Sequence, residues 1–135
     1  MKRKILWPLV LLLLTLLLCA CGPISGSFDE ETLYQKSCQV IELCNARDYQ
    51  GLYDCFDPRL GEALPLSEIE SQVGPIMDGF GEFEEFKNYA TSGSADETTG
   101  EEYAVIAVRC GYSEGKATYT MTYTTDYYLV GLYVQ

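Results

Sequence analysis

The 135-residue chain contains no histidine. That absence removes Ser-His-Asp and Cys-His nucleophilic sites, His-ligated zinc, and the general base whose ordinary pKa lies nearest neutrality. Basic residues are scarce too, nine against 20 acids, for a net charge of −11. Lys2, Arg3 and Lys4 sit at the N-terminus and every acid lies after residue 28, so the remainder sets six basic residues against 20 acidic ones. Phosphate backbones repel such a domain, which excludes nucleic acid as a partner. No C-x-x-C pair occurs among the six cysteines, which argues against zinc ribbons and thioredoxin-like redox chemistry. Nor is there a Gly-rich phosphate loop; Gly79-Phe80-Gly81 is only turn-sized. The acid pairs Asp96-Glu97 and Glu101-Glu102 lack the alternating oxygen spacing of a calcium loop and read as a solvated acidic loop. No metal or cofactor is expected.

What is present is a hydrophobic fraction of 47% and eleven tyrosines, enough for one folded core and incompatible with a mainly disordered chain. The N-terminus has its own character. A cationic head, Met1-Lys2-Arg3-Lys4, precedes an apolar run from Ile5 to Leu18 broken only by Pro8 and Thr15, the layout of a secretory signal peptide. The run is short of the ~20 residues that comfortably span a bilayer.

Leu18-Cys19-Ala20-Cys21-Gly22 closely resembles the lipobox of bacterial lipoproteins, with Leu18 at −3, Ala20 at −1 and Cys21 as the modified residue. Cys19 fits less well, because Leu18 would then stand where a small residue is wanted. The resemblance implies diacylglycerol on Cys21 and cleavage after Ala20, two acyl chains giving a stable anchor on the extracytoplasmic face of the cell membrane. The alternative is an uncleaved N-terminal membrane helix. Residues 1–20 are thus expected as signal peptide, 21–28 as lipidated cysteine and linker, and 29–135 as one domain. Fully extended, the linker reaches only ~25 Å, which keeps the domain near the membrane.

Within the domain, Asp29-Glu30-Glu31 precedes a helical stripe of Leu33, Ser37, Val40, Ile41 and Cys44. Asp48 is placed as the N-cap of a second helix carrying Tyr49, Leu52, Tyr53 and Phe56, closed by Pro58 and Gly61. A third helix is expected from Ser67, with Glu70 completing a capping box and Gly74-Pro75 kinking or ending it. Alternation then predicts strands over residues 101–112, 116–124 and 127–134, with Ser113-Glu114-Gly115 and Thr125-Asp126 as turns. Phe83 to Thr91 reads as a strand of undecided facing, and 91–100 as a loop. Helices followed by strands indicate an α+β domain with three helices on a curved four-stranded antiparallel sheet.

Arg47-Asp48-Tyr49 with Leu52 and Phe56, the Gly81-Glu82-Phe83 step into the sheet, and the closing Gly131-Leu132-Tyr133-Val134 resemble a bacterial family of uncharacterised nuclear-transport-factor-like, cystatin-like α+β cones. That family is found alone on lipoproteins or ahead of secreted α/β-hydrolases. The resemblance implies a pocket between helices and sheet, but no activity.

For chemistry, carboxylates remain. A proton-transfer site of the ketosteroid isomerase kind needs an inward carboxylate near a tyrosine hydroxyl (that enzyme is a standard example of such tuning). Asp48 and Asp54 are available, yet read as a helix cap and a solvated face. Tyr119, Met121 and Tyr123 share one face of a strand and either line an apolar pocket or form core and interface. If helices one and two pack antiparallel about Arg47, Cys38 and Cys55 lie opposite each other and a disulfide between them is expected, whereas Cys44 and Cys110 read as buried thiols. The reading that follows is a lipid-anchored, non-catalytic domain binding a protein or a small apolar ligand, with a homodimer through the exposed sheet face as a further expectation. The alternatives are a small isomerase or dehydratase using a buried carboxylate, and an accessory or protective lipoprotein of an envelope complex.

Overall fold

The computed structural model describes residues 22–135, and the first helix, α1 (Glu30–Ala46), forms where the acids and the stripe predict it. Asp29 is its N-cap. Its carboxylate accepts from the Thr32 hydroxyl at 2.6 Å and from the Thr32 N–H at 3.0 Å, bonds that hold it below its usual pKa. The buried face is Leu33, Ser37, Val40, Ile41 and Cys44, the five residues of the stripe. The helix stops because Arg47 turns left-handed at φ 55°, sending its own N–H and that of Asp48 back to the Cys44 and Leu43 carbonyls. Glycine is usual there, and a side chain costs on the order of 1 kcal/mol. The Arg47 guanidinium offsets part of this by reaching the third helix, 2.5 Å from the Asp78 carboxylate and 3.2 Å from the Gly74 carbonyl.

Asp48 caps α2 (Tyr49–Cys55), accepting from the Gly51 N–H at 2.9 Å as expected. A 3-10 turn, η1 (Pro58–Ala63), leads to α3 (Leu66–Asp78). Two details of α3 differ from the sequence reading. The Ser67–Glu70 capping box does not form, because Pro65 already holds the extended N-cap conformation and the helix begins at Leu66. Gly74-Pro75 does not end the helix either, which continues to Asp78. The missing Pro75 N–H deprives the Ser71 carbonyl of its partner, and Ser71 is exposed, which leaves that carbonyl open to solvent.

The strands β1 (Phe83–Ala95), β2 (Glu102–Tyr112), β3 (Gly115–Tyr123) and β4 (Leu129–Val134) pair antiparallel in sequence order as one open sheet. Helices before sheet make the α+β class that was expected. β1 extends through Thr91–Ala95, a stretch read as loop, because β2 supplies register partners from Ile106 to Glu102 regardless of the small polar side chains. An irregularity between Phe86 and Tyr89 explains the poor alternation of β1. β4 starts two residues late, because Tyr127 adopts φ 63° to close the β3–β4 turn, its N–H donating to the Thr124 carbonyl at 2.9 Å.

Ala104, Ile106, Val108 and Cys110 of β2 and Ala117, Tyr119, Met121 and Tyr123 of β3 are buried. The residues between them, among them Val105, Ala107, Thr118, Thr120 and Thr122, lie on the other face and stay partly open. The stretch expected as a linker is part of the fold. Gly22 and Gly93 exchange backbone hydrogen bonds of 3.1 and 2.7 Å, Ser25 bonds Glu102, and Phe28 is buried.

Candidate functional site

Tyr119, Met121 and Tyr123 lie in the packed layer between helices and sheet, at 0, 0 and 1% exposure. Tyr119 and Met121 are enclosed completely, and Tyr123 edges a surface cavity of about 270 Å³ shared with Lys36, Asp54 and Cys55. Their hydroxyls are satisfied internally. Tyr119 pairs with the Tyr112 hydroxyl, which donates to Asn45 at 2.6 Å, and the Tyr123 and Ser37 hydroxyls share a hydrogen bond of 3.0 Å. Burial pushes these phenols up, Tyr112 to about 12 and the other two further. Among the described residues, none of these hydroxyls has a carboxylate as hydrogen-bond partner.

The four described cysteines are free thiols, so the expected Cys38–Cys55 bridge is not formed. Cys55 donates instead to the Gly51 carbonyl one turn back, at 3.4 Å. Cys38 lies one turn along α1 from Tyr34, and partial burial raises its thiol. Cys44 and Cys110 are buried, as expected, and burial raises both thiols to about 12. Asp48 is the cap it was read to be, and Asp54 accepts from Gln50 at 3.0 Å on an exposed face. Cys21 and residues 1–20, expected as a signal peptide, lie outside the described residues. Among the described residues, no helix is long and apolar enough to cross a membrane and no cluster of metal ligands occurs.

A site that the sequence reading missed is built around Asp57. Its backbone N–H donates to the Leu129 carbonyl at 2.8 Å, next to a parallel bridge between Phe56 and Leu129, so the chain after α2 runs along the free edge of β4. With its backbone pinned there, the Asp57 carboxylate is 6% exposed and accepts three bonds from Arg59: from Nη2 at 2.7 Å, from Nε at 2.9 Å and from the backbone N–H at 2.9 Å. Arg59 extends over the end of the sheet, where Nη2 also meets Glu101 Oε1 at 2.6 Å. The Tyr103 hydroxyl donates to Glu101 Oε2 at 3.0 Å. Glu101, read as part of a solvated loop, is therefore tied to η1 across 42 residues of sequence.

These groups wall a cleft of about 430 Å³ on the outer face of the sheet, with Leu60, Thr122 and Val130 as its less polar lining. A second hollow of about 260 Å³ adjoins it, sharing Asp57 and Leu60. The Arg59 guanidinium holds Asp57 and Glu101 below the usual carboxylate range, with Tyr103 adding to the effect on Glu101. In return the two carboxylates raise Arg59, and Glu101 raises the Tyr103 phenol. At neutral pH both acids and the guanidinium are charged, so no group here can give up or accept a proton in that range. The cluster can recognise and orient a ligand, but it is poorly tuned for acid–base catalysis. A signal was available: Arg59 is one of only six basic residues after Lys4, and Asp57-Pro58 is a turn-initiating pair.

No curated protein matches the chain. Among solved structures, the NMR structure of a protein from Ruminococcus gnavus ATCC 29149 superposes with a TM-score of 0.72 at 25% identity, over 83% of this chain and 96% of that one. The open sheet with its preceding helices is thus shared with a natural relative of nearly the same extent. Residues 37–132 match a family described as protein of unknown function (DUF3887), which spans α1 from Ser37 through to β4, and the chain belongs to that family.

Proposed function

We propose that the protein is an extracytoplasmic lipoprotein, anchored through diacylglycerol on Cys21, whose cone-like domain is a non-catalytic binding module. The observation that carries the binding reading is the charge state of the Asp57–Arg59–Glu101–Tyr103 cleft: the guanidinium and both carboxylates are paired and held charged, and the Tyr103 phenol is held neutral beside Glu101. The isomerase alternative requires a carboxyl of raised pKa near a tyrosine hydroxyl. Glu101 and Tyr103 meet the distance requirement, yet Glu101 is shifted the opposite way and sits in an outer cleft. The order of three helices and then the sheet supports the nuclear-transport-factor-like description. Anchoring rests on the lipobox-like residues Leu18 to Gly22.

Two measurements test this. Intact mass of membrane-extracted protein should show a chain beginning at an acylated Cys21, and Cys21→Ser should leave an uncleaved precursor or a shed domain, whereas Cys19→Ser should remain anchored. A wild-type chain starting at Met1 without acyl mass sinks the lipoprotein reading. Molecules co-purifying with the wild type should be lost from Arg59→Ala; retention of all of them removes the cleft as the binding site.

A further inference from the structure

The residue next to Cys21 is not free. Gly22 is held to Gly93 by two backbone hydrogen bonds, 3.1 Å from the Gly22 N–H to the Gly93 carbonyl and 2.7 Å in return, in an antiparallel bridge on β1. Gly93 admits this contact only because it has no side chain; a Cβ there would collide with the Pro23 carbonyl. Ser25 then bonds Glu102 at 2.5 Å and Phe28 enters the core at 6% exposure, so the segment is fixed at both ends. Gly93 lies two residues from the end of β1, and its neighbour Ser94 lines the Arg59 cleft. The Ser113-Glu114 turn lies at the opposite end of the sheet, about 30 Å away along the nine steps from Tyr103 to Tyr112 at the usual rise per strand residue.

We propose that the domain has a fixed membrane-facing end: the end of the sheet that carries Ser94, the 96–101 loop and the η1 strap, and hence the Arg59 cleft, lies against the bilayer surface, with the Ser113-Glu114 turn pointing away. The inference rests on anchoring through Cys21. It goes beyond that reading because an anchor alone, on a slack tether, would leave all faces equally presented. Here the chain outside the described residues ends at a point clipped to the rim of the cleft, and no slack remains between anchor and domain.

The test uses the full acylated protein in phosphatidylcholine vesicles containing a lipid with a photo-cross-linker on its headgroup. Cross-links mapped by mass spectrometry should concentrate on residues 94–101 and on Arg59-Leu60, severalfold above Ser113-Glu114. A twelve-residue Gly/Ser insertion between Cys21 and Gly22, reaching ~40 Å, should spread them over both ends while leaving the fold untouched. Hydrogen exchange on the same samples should show protected amides at Gly22 and Gly93. Equal cross-linking of both ends in the wild type, no change on insertion, or rapid exchange at Gly93 overturns the proposal. Intact mass separates the two levels: without acyl mass on Cys21 both readings fall, and with it only the orientation falls.

Discussion

The inner face of the sheet and its outer cleft both contain polar groups, and they satisfy them in opposite ways. Inside, neutral hydroxyls meet neutral partners: Tyr119 meets Tyr112, Tyr112 meets Asn45, and Tyr123 meets Ser37. Outside, one guanidinium joins two carboxylates at a rim where Arg59 is 65% exposed. Burial explains the division, since an unpaired charge in the core costs far more than a hydroxyl with one good bond. The interior is therefore built for stability, and groups available to an outside ligand are found at the open end of the sheet.

The comparison breaks hardest at the core. Leu52→Ala removes a fully buried side chain where α2 meets the rest of the core, and should cost about 2–5 kcal/mol in urea denaturation. Cross-linking or ligand retention at the cleft should survive wherever the variant stays folded. Tyr123→Phe is a gentler cut. It removes the Ser37–Tyr123 bond while Ser37 keeps its 2.7 Å bond to the Leu33 carbonyl, so the loss should be about 0.5–1.5 kcal/mol. A loss as large as that of Leu52→Ala would mean that the hydroxyls organise the core rather than merely fit into it.

The same division governs what could be read from the chain before folding. The inner face repeats at the spacing of its element, so the α1 stripe and the Tyr119, Met121, Tyr123 alternation are visible in one dimension. The cleft has no such period. Asp57 and Arg59 meet Glu101 only because the chain after α2 runs along β4, a relation between segments that no local pattern records. Strand 91–95 was missed for a similar reason: its small side chains carry no alternation, and β2 imposes the pairing. The linker reading failed at Gly22, where two glycines let backbones approach with nothing in the composition to announce it. Tyr127 occupies a left-handed position where glycine is the usual marker, so the start of β4 had no sequence flag, whereas the close of α1 at the left-handed Arg47 was marked by Asp48, the N-cap of the next helix.

pH separates the two regions next, with the surface carboxylates, those of the cleft among them, responding to acid and the core to alkali. Asp29, Asp57, Glu101 and Glu102 all have folded pKa values below their unfolded ones. Their contribution is present above about pH 4 and is lost as pH falls through the folded values. The buried phenols and thiols shift upward, Tyr112, Cys44 and Cys110 to about 12. Their contribution is complete below the unfolded thiol value near 8.5 and is lost as pH rises towards those folded values. With no histidine between these limbs, melting temperature should be flat from about pH 6 to 8. A step near pH 6.5 would reveal a carboxyl of raised pKa and favour the enzyme reading.

The smallest expected effect is also the most specific. Arg59→Ala removes the guanidinium that joins Asp57 to Glu101, yet that side chain is largely exposed and its loss opens the covered Asp57 carboxylate to water, so the melting temperature at neutral pH should fall only slightly. Its signature lies in the acid limb. Without the guanidinium, Asp57 and Glu101 return towards ordinary carboxylate values, although Asp57 keeps the Arg59 backbone N–H at 2.9 Å and Glu101 keeps the Tyr103 hydroxyl at 3.0 Å. Less proton-linked stability then remains to be lost on acidification. The difference between wild type and variant should be greatest near neutrality and shrink as pH drops below about 4, where the carboxylates protonate in both. A difference that stays constant down to pH 2 would place the role of Arg59 in packing rather than charge, and would weaken the cleft as a site for recognising charged or polar ligands.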